Sequence, residues 1–539
     1  MLDKTHWTYV DLVRRQAKAY GERLFMSFED GQTLTFAGFD ADSDRLALAL
    51  AGLGVGPGDR VLALVKNRIE LMLALLATHK LGAVFVPINT ELKGAFLQHQ
   101  LRNADPRVAF VDAELIAAFD GVDPGETRLE ACVVVAGEVP ATLPPALTAG
   151  TVMDFAGLAA AGEGDRSVLV EPHYQDIGCI MYTSGTTGPS KGVLMPHAHL
   201  YLFGIGTVEA LKLTEHDRYF VCMPLFHANA LLMQVFGSLI AGCQVHCVIR
   251  FSPNRWLDEV IACEATVSNA LGVMPEFLYR TAPTPRDRDH KLRHMMAVPI
   301  GKEWGDDFEQ RFGVKLIQGF GMTECNIPCY TGMDDPVVPG CAGQVMDDYF
   351  EMRIVDPETD EPQPVDGVGE IVIRPKEPGC FMAGYFRMPE KTVEVWRNLW
   401  FHTGDAGRID AAGNLHYIDR IKDCIRRRGE NISAFEVEQV LNSHPAVAES
   451  AVIGVKVEGA GGEEEVMALI VPAGDVDNVE LLDHCVARMP RYAVPRFLLC
   501  MDELAKTATG KIQKQALREA GVTPETWDRE SVGYTIARG

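Results

Sequence analysis

Apolar positions change period as the chain is followed from its start. From Phe36 to Leu53 they recur at helical spacing, and Gly52, Gly54 and Gly56 close the pattern. Arg60 to Val65 is then an apolar run of strand length, Ile69 to Leu81 a second helix, and Gly82 to Pro87 a second strand. Strand, helix and strand in that order predict parallel pairing with helices on the sheet faces. The pattern recurs at Arg107 to Val111 and on either side of a helix from Pro253 to Cys263. The Pro-, Ala- and Gly-rich stretch Val139 to Gly164 reads as an inserted loop.

Past Asp335 the pattern shortens. Strands at Phe350 to Ile354, Glu370 to Arg374, Ala406 to Asp410 and Leu415 to Asp419 are separated by turn residues, which predicts a small antiparallel β subdomain. After Asp419 an α+β pattern follows. Ser433 to Glu436 is a capping box opening a helix that reaches Asn442, and His444 with Pro445 closes it. Strands at Glu449 to Val455, Val466 to Val471 and Phe497 to Met501, with a helix from Asn478 to Met489, complete it. A chain of 539 residues is too long for one core. The expected fold is α/β, with a large N-terminal domain of βαβ-layered sheets over 1–421, its β subdomain from about 335 to 421, and a smaller α+β domain over 422–539.

Composition narrows the partners. The net charge of −24 argues against a nucleic-acid surface, so an anionic substrate must be drawn in by local basic groups. Thirteen cysteines, scattered singly as at Cys132, Cys179, Cys222 and Cys500, fit a reducing compartment rather than a disulfide scaffold. Cys243, His246 and Cys247 have no second ligand pair and read as buried structural residues; Cys325 and Cys329 form no Cys-x-x-Cys pair. The start, Met1 to His6, lacks the apolar core of a secretory leader, and no run approaches the ~20 apolar residues of a membrane span. A cytoplasmic protein is expected.

Candidate chemistry centres on Tyr182 to Gly192, which packs five hydroxyl residues, three glycines and Lys191 into one loop after an apolar run. Glycines let backbone N–H groups turn toward an anion, hydroxyls add donors, and a lysine supplies a point charge for phosphate. The loop is not a Walker A motif, because Ser190 precedes Lys191 and Gly192 follows it. It predicts a grip on a polyphosphate.

Five further segments stand in register with it: Pro224 to Asn229, Gln318 to Glu324, Trp400 to Asp405, Asp419 to Asp423 together with Gly429 to Ser433, and Lys506 to Ile512. In this order the chain resembles the adenylate-forming superfamily of acyl-CoA synthetases, amino-acid adenylation domains and luciferases, over nearly its whole length. The resemblance implies ATP, Mg²⁺ and coenzyme A as cofactors and co-substrates. It implies that Thr183, Ser184, Gly185, Thr186, Thr187 and Lys191 hold the β- and γ-phosphates, and that Glu324, with Thr183, holds the metal. Thr323 would donate to the α-phosphate. Phe320, between Gly319 and Gly321, would stack on adenine; Asp405 would take the ribose hydroxyls and Arg420 the ribose and phosphate. Lys511 would bridge the substrate carboxylate and ribose oxygens. In such enzymes the C-terminal domain rotates between half-reactions, with Lys422 at the hinge position, and Gly429 with Glu430 would then approach the thiol of coenzyme A.

Four departures from the family pattern stand out. The proline of the phosphate loop is displaced to Pro189; Arg428 extends a basic run with Arg426 and Arg427; Ala505 and Lys506 replace Pro-Arg; and Met296 to Gly301 replaces a small Gly/Ala-rich loop beside the acyl slot. The Arg run reads either as a solvated face or as a hold on coenzyme A phosphates. Within the superfamily, His290 to Arg293, Glu309 to Leu316 and the stretch ending at Ser433 are similar to the bacterial crotonobetaine/carnitine-CoA ligase branch. By motif position the acyl pocket is lined by His227, Ala228, Asn229, Met274, Cys325 and Asn326, with His227 also a catalytic candidate. That set suits a small or medium carboxylic acid, carnitine-like in one reading. The expected function is an acid–CoA ligase acting as a monomer or homodimer. The alternatives are an adenylation enzyme loading a carrier protein, and a nonenzymatic nucleotide-binding regulator that would lack Glu324, Asp405 or Lys511.

Overall fold

In a computed structural model of the chain, residues 3–148, 150–183, 190–272, 274–301, 304–336, 338, 340–421, 424–427, 430–457, 464–506 and 512–536 are described. Two compact units emerge. The first holds the described residues up to Thr183, those from Ser190 to Glu351, and Arg374–Arg397; the second holds Met352–Ile373 and the described residues from Asn398 onward. Compactness thus groups the strands around Trp400 to Arg420 with the C-terminal part. The boundary expected at 421 lies within the second of these units.

Among the described residues of the first unit, one sheet runs in the order Gly384–Tyr385, Lys191–Pro196, Ile177–Thr183, Val84–Pro87, Arg60–Leu64, Val108–Asp112, Ala131–Val135, Thr151–Asp154. Its strands from Val84 to Asp154 pair in parallel, while Ile177–Thr183 and Lys191–Pro196 form an antiparallel hairpin at one side. Parallel strands covered on both faces need continuous apolar runs, and Val61 to Val65 and Val108 to Val111 are all nearly sealed from solvent. A second sheet runs Lys315–Ile317, His294–Val298, Val267–Leu271, Arg218–Val221, Gln244–Cys247, Leu24–Phe28, Thr33–Thr35. Behind it Trp256, Met295, Phe308 and Phe312 form a core with Ala297 and Ile300. Those last two residues belong to the unusual stretch before Gly301 and are taken up by packing.

Within the second unit, Gly369–Pro375 pairs antiparallel with Trp400–Ile409, which pairs with Asn414–Arg420. A separate sheet of Val447–Lys456, Glu464–Pro472, Phe497–Cys500 and Trp527–Asp528 packs its apolar face with the helices Ala434–Asn442 and Asn478–Val486 through Val437, Leu441, Val452, Ile470 and Leu481.

One expectation is corrected. The stretch from Val139 to Gly164 is not only loop: Thr151–Asp154 adds an edge strand beside Ala131–Val135, and Asp154 caps the helix Phe155–Ala160 by accepting the Gly157 N–H at 2.6 Å. Four residues on a sheet edge carry too little alternation to stand out from a Pro/Ala/Gly background.

The helix Ile69–Lys80 is buried along most of its length, and it ends in a fully buried Lys80. Its ammonium donates to the Asp40 carbonyl at 2.7 Å, to Asp40 Oδ1 at 2.6 Å and to Asp44, which also pairs with Arg166. Breaking one partner of a buried ion pair leaves an uncompensated charge. Lys80→Met is therefore expected to lower stability by about 3 kcal/mol, read as a shift in the urea midpoint. A shift indistinguishable from wild type would contradict the role given to Lys80.

Candidate active site

Of the phosphate-loop candidates, Thr183 and Lys191 are the last described pair of the hairpin Ile177–Thr183 and Lys191–Pro196. Tyr182 pairs with Gly192 and Thr183 with Lys191, and the Tyr182 hydroxyl donates to Asn103 Oδ1 at 2.7 Å. Ser184, Gly185, Thr186 and Thr187 lie outside the described residues. The short strand Gly384–Tyr385 lines the hairpin's outer edge, with the Phe386 N–H donating to Gly192 O at 2.7 Å. That registry brings the Tyr385 side chain to Lys191. The ammonium donates to the phenol oxygen at 3.2 Å and lies 4.3 Å from the ring centroid. The phenol in turn donates to Glu324 Oε1 at 2.9 Å.

Glu324 stands in the turn between the strands Gly319–Met322 and Asn326–Tyr330. Gly321 is required there, because a Cβ would lie 2.3 Å from the Asn326 carbonyl oxygen. Phe320 lies on the first of these strands opposite Cys329 and is buried, and the glycines on either side of it serve close backbone approach. Asn326 holds a left-handed backbone (φ 76°) and is clamped by His199. Its amide donates to the His199 carbonyl at 2.8 Å and faces His199 Nδ1 at 3.3 Å, while His199 Nε2 lies 2.9 Å from the Thr323 carbonyl. A neutral imidazole with its proton on Nε2 satisfies both contacts. Burial favours that form and lowers the His199 pKa to about 4. This clamp fixes the backbone that presents Thr323, Glu324 and the fully buried Cys325.

His227 and Ala228 lead into a π-helix, Asn229–Phe236, a rare form frequent at functional sites. Burial also lowers the His227 pKa to about 4, leaving a neutral ring. Asn229 Oδ1 accepts the amides of Gln234, five residues on, at 2.9 Å and of Asn269 at 3.0 Å. Asn269 Oδ1 takes the Tyr219 hydroxyl at 2.5 Å. Gln234 Oε1 is buried with no hydrogen-bond partner among the described residues. Met274 opens the helix Met274–Arg280 and is half-buried.

In the second unit Asp405 and Arg420 are cross-strand partners, with Arg420 Nε 2.8 Å from Asp405 Oδ1. The turn before Asp405 is built around Glu370, whose carboxylate accepts the Gly404 N–H at 3.0 Å and lies 2.8 Å from His402 Nδ1. Thr403 Oγ1 donates to the Ile371 carbonyl at 2.7 Å and accepts the Asp405 N–H at 3.1 Å. Downstream, Asp419 accepts the Phe435 N–H at 3.0 Å, and the Ser433 hydroxyl donates to the Ile418 carbonyl at 3.0 Å. Glu430 opens the strand Glu430–Ser433 opposite Arg427. Lys506 pairs with Glu449 at 2.8 Å, and its backbone bridges to Ile512. Lys511, Lys422 and Gly429 lie outside the described residues, as does Arg428.

Arg427 is neither solvated nor available to a ligand: it is buried, 2.7 Å from Glu465, and donates to the Tyr492 carbonyl. Likewise Arg293 pairs with Asp217 at 2.7 Å and Arg311 with Asp287 at 2.7 Å, so the residues similar to one branch of ligases do structural work here. No group of three metal-ligating His, Cys, Asp or Glu side chains forms among the described residues, and His246 contacts Ser27 at 2.9 Å. Nor is any described helix long and apolar enough to cross a membrane.

A glycine-rich hairpin beside a buried carboxylate, on layered α/β sheets, defines a nucleotide-using enzyme of mixed α/β architecture. The chain belongs to the AMP-binding enzyme family, whose profile matches residues 13–386, with the AMP-binding enzyme C-terminal domain matching 436–511. It is 30% identical over 523 residues to the medium/long-chain-fatty-acid–CoA ligase FadD6 of Mycobacterium tuberculosis, covering 93% of this chain and 84% of that protein. It is 28% identical over 513 residues to the crotonobetaine/carnitine–CoA ligase of Salmonella typhimurium, covering 93% and 97%. Among solved structures it resembles O-succinylbenzoate coenzyme A synthetase (MenE) from Bacillus subtilis in complex with ATP and magnesium ion, with a TM-score of 0.78, 28% identity, and 94% and 98% of the two chains covered.

Proposed function

We infer that this protein is an AMP-forming acid–CoA ligase. A carboxylate oxygen attacks the α-phosphorus of ATP and pyrophosphate leaves. The thiol sulfur of coenzyme A then attacks the acyl carbonyl, AMP leaves with the bonding pair, and the thiol proton is lost. The protein's work in both steps is positioning and charge neutralisation. The observation that carries the reading is the contact chain Lys191, Tyr385, Glu324, which sets a buried carboxylate against the base of the phosphate hairpin.

Chemistry and family membership support the following residue roles. Thr183, Ser184, Gly185, Thr186, Thr187 and Lys191 hold the terminal phosphates, Thr323 the α-phosphate, Phe320 the adenine, and Asp405 with Arg420 the ribose. Magnesium suits the donor set, since a carboxylate and a hydroxyl are hard oxygen ligands and Mg²⁺ prefers one or two of these plus phosphate oxygens. When bound, it neutralises phosphate charge; Glu324 and Thr183 would hold it. Lys511 serves adenylation, Gly429 and Glu430 serve thioester formation, and Lys422 is the hinge between domains 1–421 and 422–539.

For the acid, the Tyr219, Asn269, Asn229 and Gln234 cluster supports a small or medium acid carrying a polar group. A plain alkyl chain would leave the buried Gln234 Oε1 without a partner, which counts against such a substrate. The same reading takes the protein as a cytoplasmic enzyme, monomeric or homodimeric, working on free coenzyme A.

ATP–pyrophosphate exchange over a panel of hydroxy-, amino- and unsubstituted acids tests the reading, followed by thioester formation with coenzyme A. Polar acids are expected to outpace alkyl acids of equal length by at least about tenfold. If no acid supports exchange while ATP still binds, the ligase reading is removed; transfer only to a carrier protein would favour the alternative.

A further inference from the structure

Tyr385 belongs to none of the motif segments, yet it touches two of them. The residue is 4% exposed, and its backbone is pinned from both sides: it pairs with Val193 on the hairpin, and its N–H donates to Thr392 Oγ1 at 2.9 Å. A phenol has one proton to give and lone pairs to receive with. Here the proton goes to Glu324 Oε1 at 2.9 Å and the oxygen receives Lys191 Nζ at 3.2 Å. Glu324 is itself only 7% exposed, so few solvent contacts compete to orient it.

We propose that Tyr385 is a positioning residue that presents Glu324 to the magnesium ion of MgATP and couples that carboxylate to the hairpin lysine. This rests on the ATP-dependent reading above. The hydroxyl does two things that a hydrogen atom in its place cannot. It holds the carboxylate in one rotamer while leaving its second oxygen for a cation. It also stands between Lys191 and Glu324, opposite charges that would otherwise pair with each other, and such a pair would withhold the carboxylate from the metal and the ammonium from phosphate. Groups that orient a metal ligand typically change metal affinity 10–100-fold when removed.

Tyr385→Phe deletes the oxygen and keeps the ring beneath Lys191. ATP binding is measured by calorimetry in EDTA and across a magnesium titration, with melting temperature as the check on folding. The magnesium concentration needed to strengthen ATP binding is expected to rise about tenfold, with binding in EDTA unchanged. In a Glu324→Gln background the same substitution should add nothing, because the group it positions is already gone. Tyr385→Gln, which restores a donor and an acceptor, should recover part of the magnesium response. An unchanged magnesium requirement in a folded Tyr385→Phe protein overturns the proposal. So does equal weakening in EDTA, or a Gln variant no better than Phe. The titration needs ATP alone, so a wild type that shows this response but no acid-dependent exchange would remove the ligase reading and leave Tyr385 its role.

Discussion

Between pH 7 and pH 5 the first compact unit should lose much of its stability, before most carboxylates begin to protonate. Three imidazoles, His79, His197 and His199, are at most 2% exposed in that unit. Burial lowers His79 and His199 to about 4 and His197 well below its usual value. His79 Nε2 lies 2.9 Å from the Gly178 carbonyl, and its ring meets that of His197 edge-on at 4.6 Å, so charging either ring would place a cation against the other. Unfolded, all three titrate near 6.5. The unfolded chain therefore binds more protons than the folded one below that value. The stability that neutral histidines contribute is complete above about pH 6.5 and falls as pH drops toward 4, with a slope of up to about 1.4 kcal/mol per pH unit for each. By pH 5 the loss is on the order of 2 kcal/mol per histidine. Urea unfolding at pH 7, 6 and 5, followed by tryptophan fluorescence, measures this. A midpoint that stays constant over the range would sink the account, and His199→Asn should flatten the slope by about one proton.

Lys511→Ala should separate the two half-reactions. The ammonium is proposed to meet negative charge as the acyl-adenylate forms, and removing such a contact lowers the rate by about 10²–10³-fold. ATP–pyrophosphate exchange should fall by that factor. Consumption of a supplied acyl-adenylate by coenzyme A should remain within about threefold of wild type, because thioester formation draws on Gly429 and Glu430. Equal loss in both assays would rule out a division of labour between two faces of the C-terminal domain.

What could be read from the chain without its structure was whatever chemistry writes locally. Tyr182 to Gly192, Gln318 to Glu324 and Trp400 to Asp405 each hold their groups within a dozen residues, so composition exposes them. The βαβ order was equally open, since buried strands such as Val108–Asp112 are unbroken apolar runs. What stayed hidden were groups that act across long separations from otherwise ordinary contexts. His199 lies in the apolar helix His197–Leu211; its only signal is a polar ring on a helix buried for most of its length. Tyr385 sits in a two-residue strand, too short for any periodicity. Asn269 and Gln234 are single amides within buried runs, and nothing local distinguishes a network from a surface position. Arg427 went the other way: three successive arginines suggested solvent or ligand, but strand alternation turned the middle one inward to Glu465.

The order in which the chain visits its two compact units has a practical consequence. It leaves the first unit after Glu351, returns at Arg374, and leaves again after Arg397. No single cut in the gene can therefore follow the boundary between these two units. A fragment ending at 421 would carry the strands Trp400–Ile409 and Asn414–Arg420 without the C-terminal sheet of their unit, and the complementary fragment would lack them. Co-expressed pieces should recover function by reassembly where either alone does not, and the insertion Arg374–Arg397 makes the protein a candidate for three-fragment complementation rather than domain-by-domain dissection.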